Sequence, residues 1–162
     1  MKEISILGAN RLERCTKCRA GSRAVIVQEG MILLSRETKS GWWLIPGGGM
    51  EAGETPEACC VREAEEETGC LVRPLRQFLT INEYYEEYRY ISHYFLCRLI
   101  GKGHVHLTEA EIQRGLEPAW LPLREAVHIF SRHQEYAAVS EEKRGAYLRE
   151  YTALCEYMKE IG

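Results

Sequence analysis

The sequence predicts an α/β fold in which a mixed sheet lies between helices in three layers. Two observations carry this expectation. Along the chain, strand patterns come first, then one well-delimited helix, then long strand patterns, then helices, an order that suits a sheet covered on both faces. The 162 residues, 45% of them hydrophobic, also suffice for a single domain spanning 1–162 around one core.

The elements follow in order. Residues 3–8 read as a short strand. Arg23 to Val27 is a second, rich in β-branched residues, and Glu29-Gly30 turns it back into Met31–Ser35 as a hairpin. Arg36 to Gly41 is a polar loop. Trp42 to Ile45 is a short strand leading into Pro46-Gly47-Gly48-Gly49, where glycines let backbone approach a ligand closely. Thr55 is an N-cap, Pro56 suits the first helical position and Gly69 the residue after the end, so a helix runs from Pro56 to Thr68. Cys60, Val61 and Ala64 form the stripe that docks it on the sheet. Leu71–Glu83 is extended, Tyr84–Glu87 is a hairpin tip, and Tyr88–Ile100 returns until Gly101-Lys102-Gly103 ends it. Residues 103–116 form a loop with a helical turn at Glu109–Gln113. Glu117–Leu121 is a short strand and Pro122–Phe130 a helix. From Ser140 a last helix places Tyr147, Tyr151, Leu154 and Met158 on its core-facing stripe, with Leu148 and Cys155 beside it.

Composition excludes several classes. A net charge of −3 gives no bulk attraction to nucleic acid or anionic membrane. No apolar run is long enough to span a bilayer, and the first residues lack a signal-peptide core, so the expected compartment is the cytoplasm. Seven cysteines is an odd number; most sit in apolar surroundings and read as small buried hydrophobes of a reducing compartment. Cys15 and Cys18 form a lone C-x-x-C. With no second pair to complete a tetrahedral site, zinc is not expected there.

The chemistry concentrates in Gly48–Cys70, GGMEAGETPEACCVREAEEETGC. Glu63, Glu66 and Glu67 stand at i, i+3 and i+4 and share one helix face, while Glu65 points away. Three crowded carboxylates repel one another and need positive charge; hard oxygen ligands of this kind suit Mg2+ or Mn2+. A glutamate-rich helix is usually a solvated face, but the glycine turn, the cap and Arg62 come with this one.

The segment resembles the Nudix box, the signature of Nudix hydrolases. Gly48, Glu54, Arg62, Glu63, Glu66, Glu67 and Gly69 fill its fixed positions, and Ala64 and Cys70 fill apolar slots with smaller residues than usual. The resemblance implies an α/β/α sandwich and a metal-dependent cleavage of a pyrophosphate bond. It implies metal ligation by Glu63, Glu66 and Glu67, with a backbone carbonyl of the Gly48 turn, and orientation of the carboxylates by Arg62. Glu63 is the candidate general base, although some relatives use a glutamate on a later loop. Glu54 reads as architectural. Of the later acids Glu109, Glu111 and Glu117, Glu111 is the preferred additional ligand.

For the substrate, Arg36 and Lys39 precede the glycine turn and could meet phosphates, and Trp42, Tyr84, Tyr85 and Tyr88 could stack on a base. By resemblance, Tyr85 stands where ADP-ribose hydrolases carry proline. Tyr88 falls in the window that carries tyrosine in dinucleoside polyphosphate hydrolases. The leading expectation is a hydrolase of a nucleoside diphosphate derivative, such as a dinucleoside polyphosphate or nucleotide sugar. The alternatives are a non-catalytic nucleotide-binding regulator of the same family and an isoprenoid diphosphate isomerase. The partners expected are a small nucleotide and at most a second copy as a homodimer, with no membrane and no specific nucleic acid.

Overall fold

The structure is a computed structural model that describes residues 1–162. Its strands are β1 (Lys2–Leu7), β2 (Lys17–Gln28), β3 (Met31–Glu37), β4 (Trp43–Leu44), β5 (Gly47–Gly49), β6 (Cys70–Tyr85), β7 (Tyr88–Lys102) and β8 (Leu116–Pro122). Its helices are α1 (Pro56–Thr68), α2 (Glu109–Arg114), α3 (Leu123–Ser131) and α4 (Glu141–Ile161). The strands lie in the order β1-β6-β7-β2-β3-β4, with β5 on β2 and β8 on β3. β1 pairs parallel with β6 and β2 parallel with β7, while the remaining pairs are antiparallel, so the sheet is mixed.

Side-chain alternation sorts the two faces. Ala24 and Ile26 of β2 join Phe95, Cys97, Cys60 and Ala64 under α1. Val25, between them, points the other way with Leu79, Tyr94, Phe130, Tyr147 and Leu154, under α3 and α4. These are the three layers that the element order predicts. The α1 boundaries also agree: Thr55 accepts from the Ala58 amide, and Gly69 closes the helix at φ 74°.

Three differences matter for the site. β2 begins at Lys17, not near Arg23, because Lys17–Ser22 pair with Tyr88–His93 in a parallel ladder that their polar sequence hides. A 3-10 turn at His133–Tyr136 follows α3. In α4 the buried positions are Gly145, Tyr147, Glu150, Ala153, Leu154 and Tyr157, whereas Tyr151 is half-buried and Met158 is exposed. The stripe is thus rotated from the expected one, and a fully buried glutamate lies in its middle.

β5 is held unusually close to β2. Gly21 faces Gly49 and Arg23 faces Gly47. A Cβ on Gly21 would lie 2.4 Å from the Gly48 carbonyl oxygen, and one on Gly47 would lie 2.1 Å from that of Ser22. No helix is long and apolar enough to cross a membrane.

Candidate active site

The site forms where α1 passes the β5 turn. Arg62 is its hub. Its Nε and Nη2 donate to the two oxygens of Glu54, at 2.7 and 2.9 Å, a bidentate pair. Nη1 donates to Glu63 Oε1 (2.8 Å) and Glu66 Oε2 (3.1 Å), and Nη2 also reaches the Gly49 carbonyl (2.9 Å). One guanidinium therefore ties the loop before α1, two box carboxylates and the glycine turn together. The bidentate Arg62 contact holds the Glu54 carboxyl down to about 2. Glu54 thereby ties the loop before α1 to the helix.

Glu63 and Glu67 occupy a drier place than Glu66. Burial pushes the Glu63 carboxyl up, against the opposing pull of Arg62, with Glu66 and Glu111 adding repulsion. Glu67 is 7% exposed. Its Oε2 accepts from the Ser35 hydroxyl at 2.9 Å and the Gly47 amide at 3.4 Å. Burial pushes its carboxyl up to about 8, with Arg23 the main counterweight and Glu63 and Glu111 adding repulsion. Gly48 leaves room for Glu63: a Cβ there would sit 2.5 Å from the Glu63 carboxyl carbon and push that side chain aside. The Gly48 carbonyl itself accepts from the Cys59 thiol at 3.4 Å.

The arrangement brings together Glu63, Glu66, Glu67, Arg62 and Gly48. Glu111 belongs to the same electrostatic field, since it raises both Glu63 and Glu67. It also serves its own helix, because its carboxylate accepts from the Thr108 amide in a capping box that starts α2. Glu65 points off the site, as its helix position predicts, but it is not idle. It accepts from the His104 amide at 3.2 Å and fastens the loop that leads to α2.

The expected substrate contacts divide. Trp42 and Tyr88 both line a cavity of about 500 Å3 between α4 and the sheet. Tyr88 is stacked on Tyr90, with ring centroids 5.4 Å apart, and Lys17 and Arg19 lie 5.2 and 5.6 Å from its ring centre. Arg36 and Lys39 do not line this cavity. Arg36 covers the Trp43 ring at 5.1 Å, and the Lys39 amide donates to the Arg114 carbonyl beside α2.

A smaller cavity of about 270 Å3 opens at Gly48 and Gly49 and shares Arg23, Tyr90 and Arg149 with the larger one. Together they make a groove that leads away from the carboxylates. Sequence reasoning missed Ser35, Arg23, Arg149 and the buried acids behind the arginines, Glu83 and Glu150. One signal was available: Glu150 follows Tyr147 by three and precedes Leu154 by four, so it interrupts an apolar helix face.

Comparison with known proteins agrees with this geometry. The NUDIX domain family model matches residues 18–142. An uncharacterized Nudix hydrolase, YvcI, of Bacillus subtilis (strain 168) is 38% identical over 61 residues, 38% of this chain and 35% of that protein. The CMP-5'-(N-acetyl-N-hydroxy-3-aminopropyl)phosphonate hydrolase of Streptomyces rubellomurinus (strain ATCC 31215) is 29% identical over 136 residues, 78% of this chain and 63% of that protein. The chain thus spans about a third of the first relative's length and just under two thirds of the second's. A NUDIX hydrolase structure from Nitrosomonas europaea shares the fold, with a TM-score of 0.55 and 24% identity over 67% of this chain and 75% of that one.

Proposed function

Because the chain belongs to the Nudix family, we propose that it is a metal-dependent hydrolase that cleaves a pyrophosphate bond in a nucleoside diphosphate derivative. The observation that carries this is the position of the Glu63 carboxylate, set against the glycine turn in the space a Gly48 side chain would fill, and joined through Arg62 to Glu54 and Glu66.

The donor set fits a hard divalent cation. Glu63 and Glu66 each give only one oxygen to Arg62, and Glu67 gives only one to Ser35 and Gly47, so each keeps an oxygen without a protein partner. As the side chains stand, no three of these groups converge on a single point; Arg62 draws Glu63 and Glu66 to itself. A cation would compete with Arg62 for them and would offset the burial of Glu67. Glu63, Glu66 and Glu67 would hold Mg2+ or Mn2+, and Glu111, whose charge is felt by Glu63 and Glu67, is the candidate for a further carboxylate. When bound, such a cation neutralises phosphate oxygens and acidifies water.

The chain's own residues do the rest. Arg62 restrains Glu63 and Glu66 and keeps their mutual repulsion in check. Burial makes Glu63 more basic than a free carboxylate, which suits it to take a proton from an attacking water. The β5 turn, fixed on β2, exposes backbone where a phosphate chain would pass.

The test is turnover of a panel of nucleoside diphosphate derivatives with Mg2+ or Mn2+, with products identified. EDTA should abolish it and added metal restore it. Glu63→Gln should lower kcat by about a hundredfold or more without unfolding the metal-free protein. Full activity in EDTA, or near-normal turnover by Glu63→Gln, would refute the mechanism.

A further inference from the structure

The two cavities meet at a neck formed by Arg23, Arg149 and Tyr90. Arg149 comes from α4, outside the segment that matches the family. Its side chain is 12% exposed. Nε donates to Glu150 Oε1 at 3.0 Å and Nη1 to Glu83 Oε1 at 3.1 Å, while Nη2 donates to no protein atom. Arg23 is held in a similar way: Nη1 donates to the Ile45 carbonyl at 2.6 Å and lies 3.9 Å from Glu150 Oε2. Its Nε and Nη2 likewise have no protein acceptor.

Glu150 thus takes one arginine on each oxygen and brings two like charges side by side. It is fixed in turn by the Tyr94 hydroxyl and the Ile45 amide, and Glu83 by the Tyr85 hydroxyl. Both guanidiniums are braced from behind and carry uncommitted N–H groups at the neck of an open groove. These N–H groups are open to solvent rather than sealed in the core, so a ligand can reach them, and a planar fork matches phosphate oxygens.

Charge decides what belongs there. The smaller cavity is lined by Arg19, Arg23 and Arg149 and by no carboxylate. The larger one has Glu83, Glu86, Glu141 and Glu142 in its wall. Glu83 and Glu141 are paired with Arg149 and Arg144, but Glu86 and Glu142 have no ion-pair partner. An anion is favoured at the neck and toward Gly48–Gly49, and disfavoured beyond it.

We propose that Arg149, together with Arg23, anchors the substrate phosphate that lies outside the carboxylate site, and that the larger cavity beside Trp42 receives the uncharged or amino-bearing organic group attached to that phosphate. This rests on the hydrolase function proposed above and adds the polarity of the substrate in the groove. Substrates with a further anionic group at the far end, such as additional phosphates or a uronic acid, are then poor ones.

Binding of ADP and of inorganic pyrophosphate to the full chain in EDTA, followed by calorimetry, tests this without turnover. Arg149→Gln should weaken both ligands tenfold or more, whereas Glu65→Gln, off the site, should leave them within twofold. Arg149→Lys keeps the charge but not the fork; it should weaken them about fivefold with a Tm near that of the parent, and it answers the question if Arg149→Gln does not fold. In steady state Arg149→Lys should raise KM and largely spare kcat. Parent-like affinity in either folded Arg149 variant, or no binding of either ligand by the parent chain, would overturn the anchor. Binding that depends on Arg149 in a protein that hydrolyses nothing would instead defeat the hydrolase function and leave the anchor standing.

Discussion

Glu67→Gln should stabilise the metal-free protein in a way that grows with pH. Burial pushes the Glu67 carboxyl from 4.5 up to about 8. Below pH 4.5 the carboxyl is protonated in both folded and unfolded chains and costs nothing. Between 4.5 and 8 the unfolded chain releases the proton while the folded one retains it, so folding becomes progressively less favourable. Above 8 the cost is constant. Taken at face value, the displacement corresponds to at most ~5 kcal/mol at 1.36 kcal/mol per pH unit; relaxation of the site will reduce this, and a gain of about 1–3 kcal/mol by pH 8.5 is expected. Glutamine is neutral throughout and can still accept from Ser35 and Gly47. Groups remote from Glu67 titrate alike in both proteins and cancel, and the relief of its repulsion on Glu63 and Glu111 adds to the gain in the same direction. The assay is urea unfolding of parent and variant in EDTA at intervals from pH 5 to 9, analysed by linear extrapolation. The difference should be smallest at pH 5 and rise to a plateau. A difference that is flat, or that favours the parent at high pH, would refute the claim that Glu67 is an uncompensated buried acid.

Further expectations follow from the same geometry. Gly48→Ala should lower kcat by about a hundredfold, because the new methyl displaces the Glu63 carboxylate, whereas Gly49→Ala meets nothing within 4 Å and should retain most activity; equal effects in paired kinetics would contradict this. Trp42→Ala should raise KM for nucleotide substrates by roughly five- to a hundredfold if the ring stacks on the bound group, while Tyr88→Phe should change KM little; an unchanged KM in Trp42→Ala removes Trp42 from recognition. Cys15 and Cys18 are exposed, and serine at both positions should leave turnover intact, with elemental analysis finding no stoichiometric zinc in the parent protein.

Much of this was legible in the sequence for identifiable reasons. Thr55, Pro56 and Gly69 delimit α1 because caps act locally, and the spacing of Glu63, Glu66 and Glu67 follows from helix geometry alone. What the spacing could not reveal is that equivalent positions on a helix meet different surroundings: Glu66 faces water and Arg62, while Glu67 is driven under β3 against Ser35. The N-terminal half of β2 was hidden because its residues are polar and become a strand only through pairing with β7, which lies some seventy positions later. Arg149 carries no local signal, and Glu150 shows only as an interruption of an apolar helix face. Their burial depends on Glu83, Tyr94 and Arg23, which come from three strands, and no local pattern encodes that meeting.

The hydrogen bonds that reach Trp43 and Ile45 have a further consequence. The Trp43 amide donates to the Tyr147 hydroxyl at 3.0 Å, and the Ile45 amide to Glu150. The approach to the glycine turn is thereby sewn to side chains of a helix, where a neighbouring strand would ordinarily hold it. The family match ends at residue 142, and nearly all of α4 lies past that point. Helix α4 thus adds Ala146 and Arg149 to a cavity wall most of whose other residues, Trp42, Tyr88 and Tyr90 among them, lie inside the matched segment. Changes confined to the α4 surface at Ala146 and Arg149 could retune which molecule is accepted while Arg62 and the carboxylates of α1 stay untouched. Such a division would let one scaffold diverge in appetite without having to reinvent its chemistry.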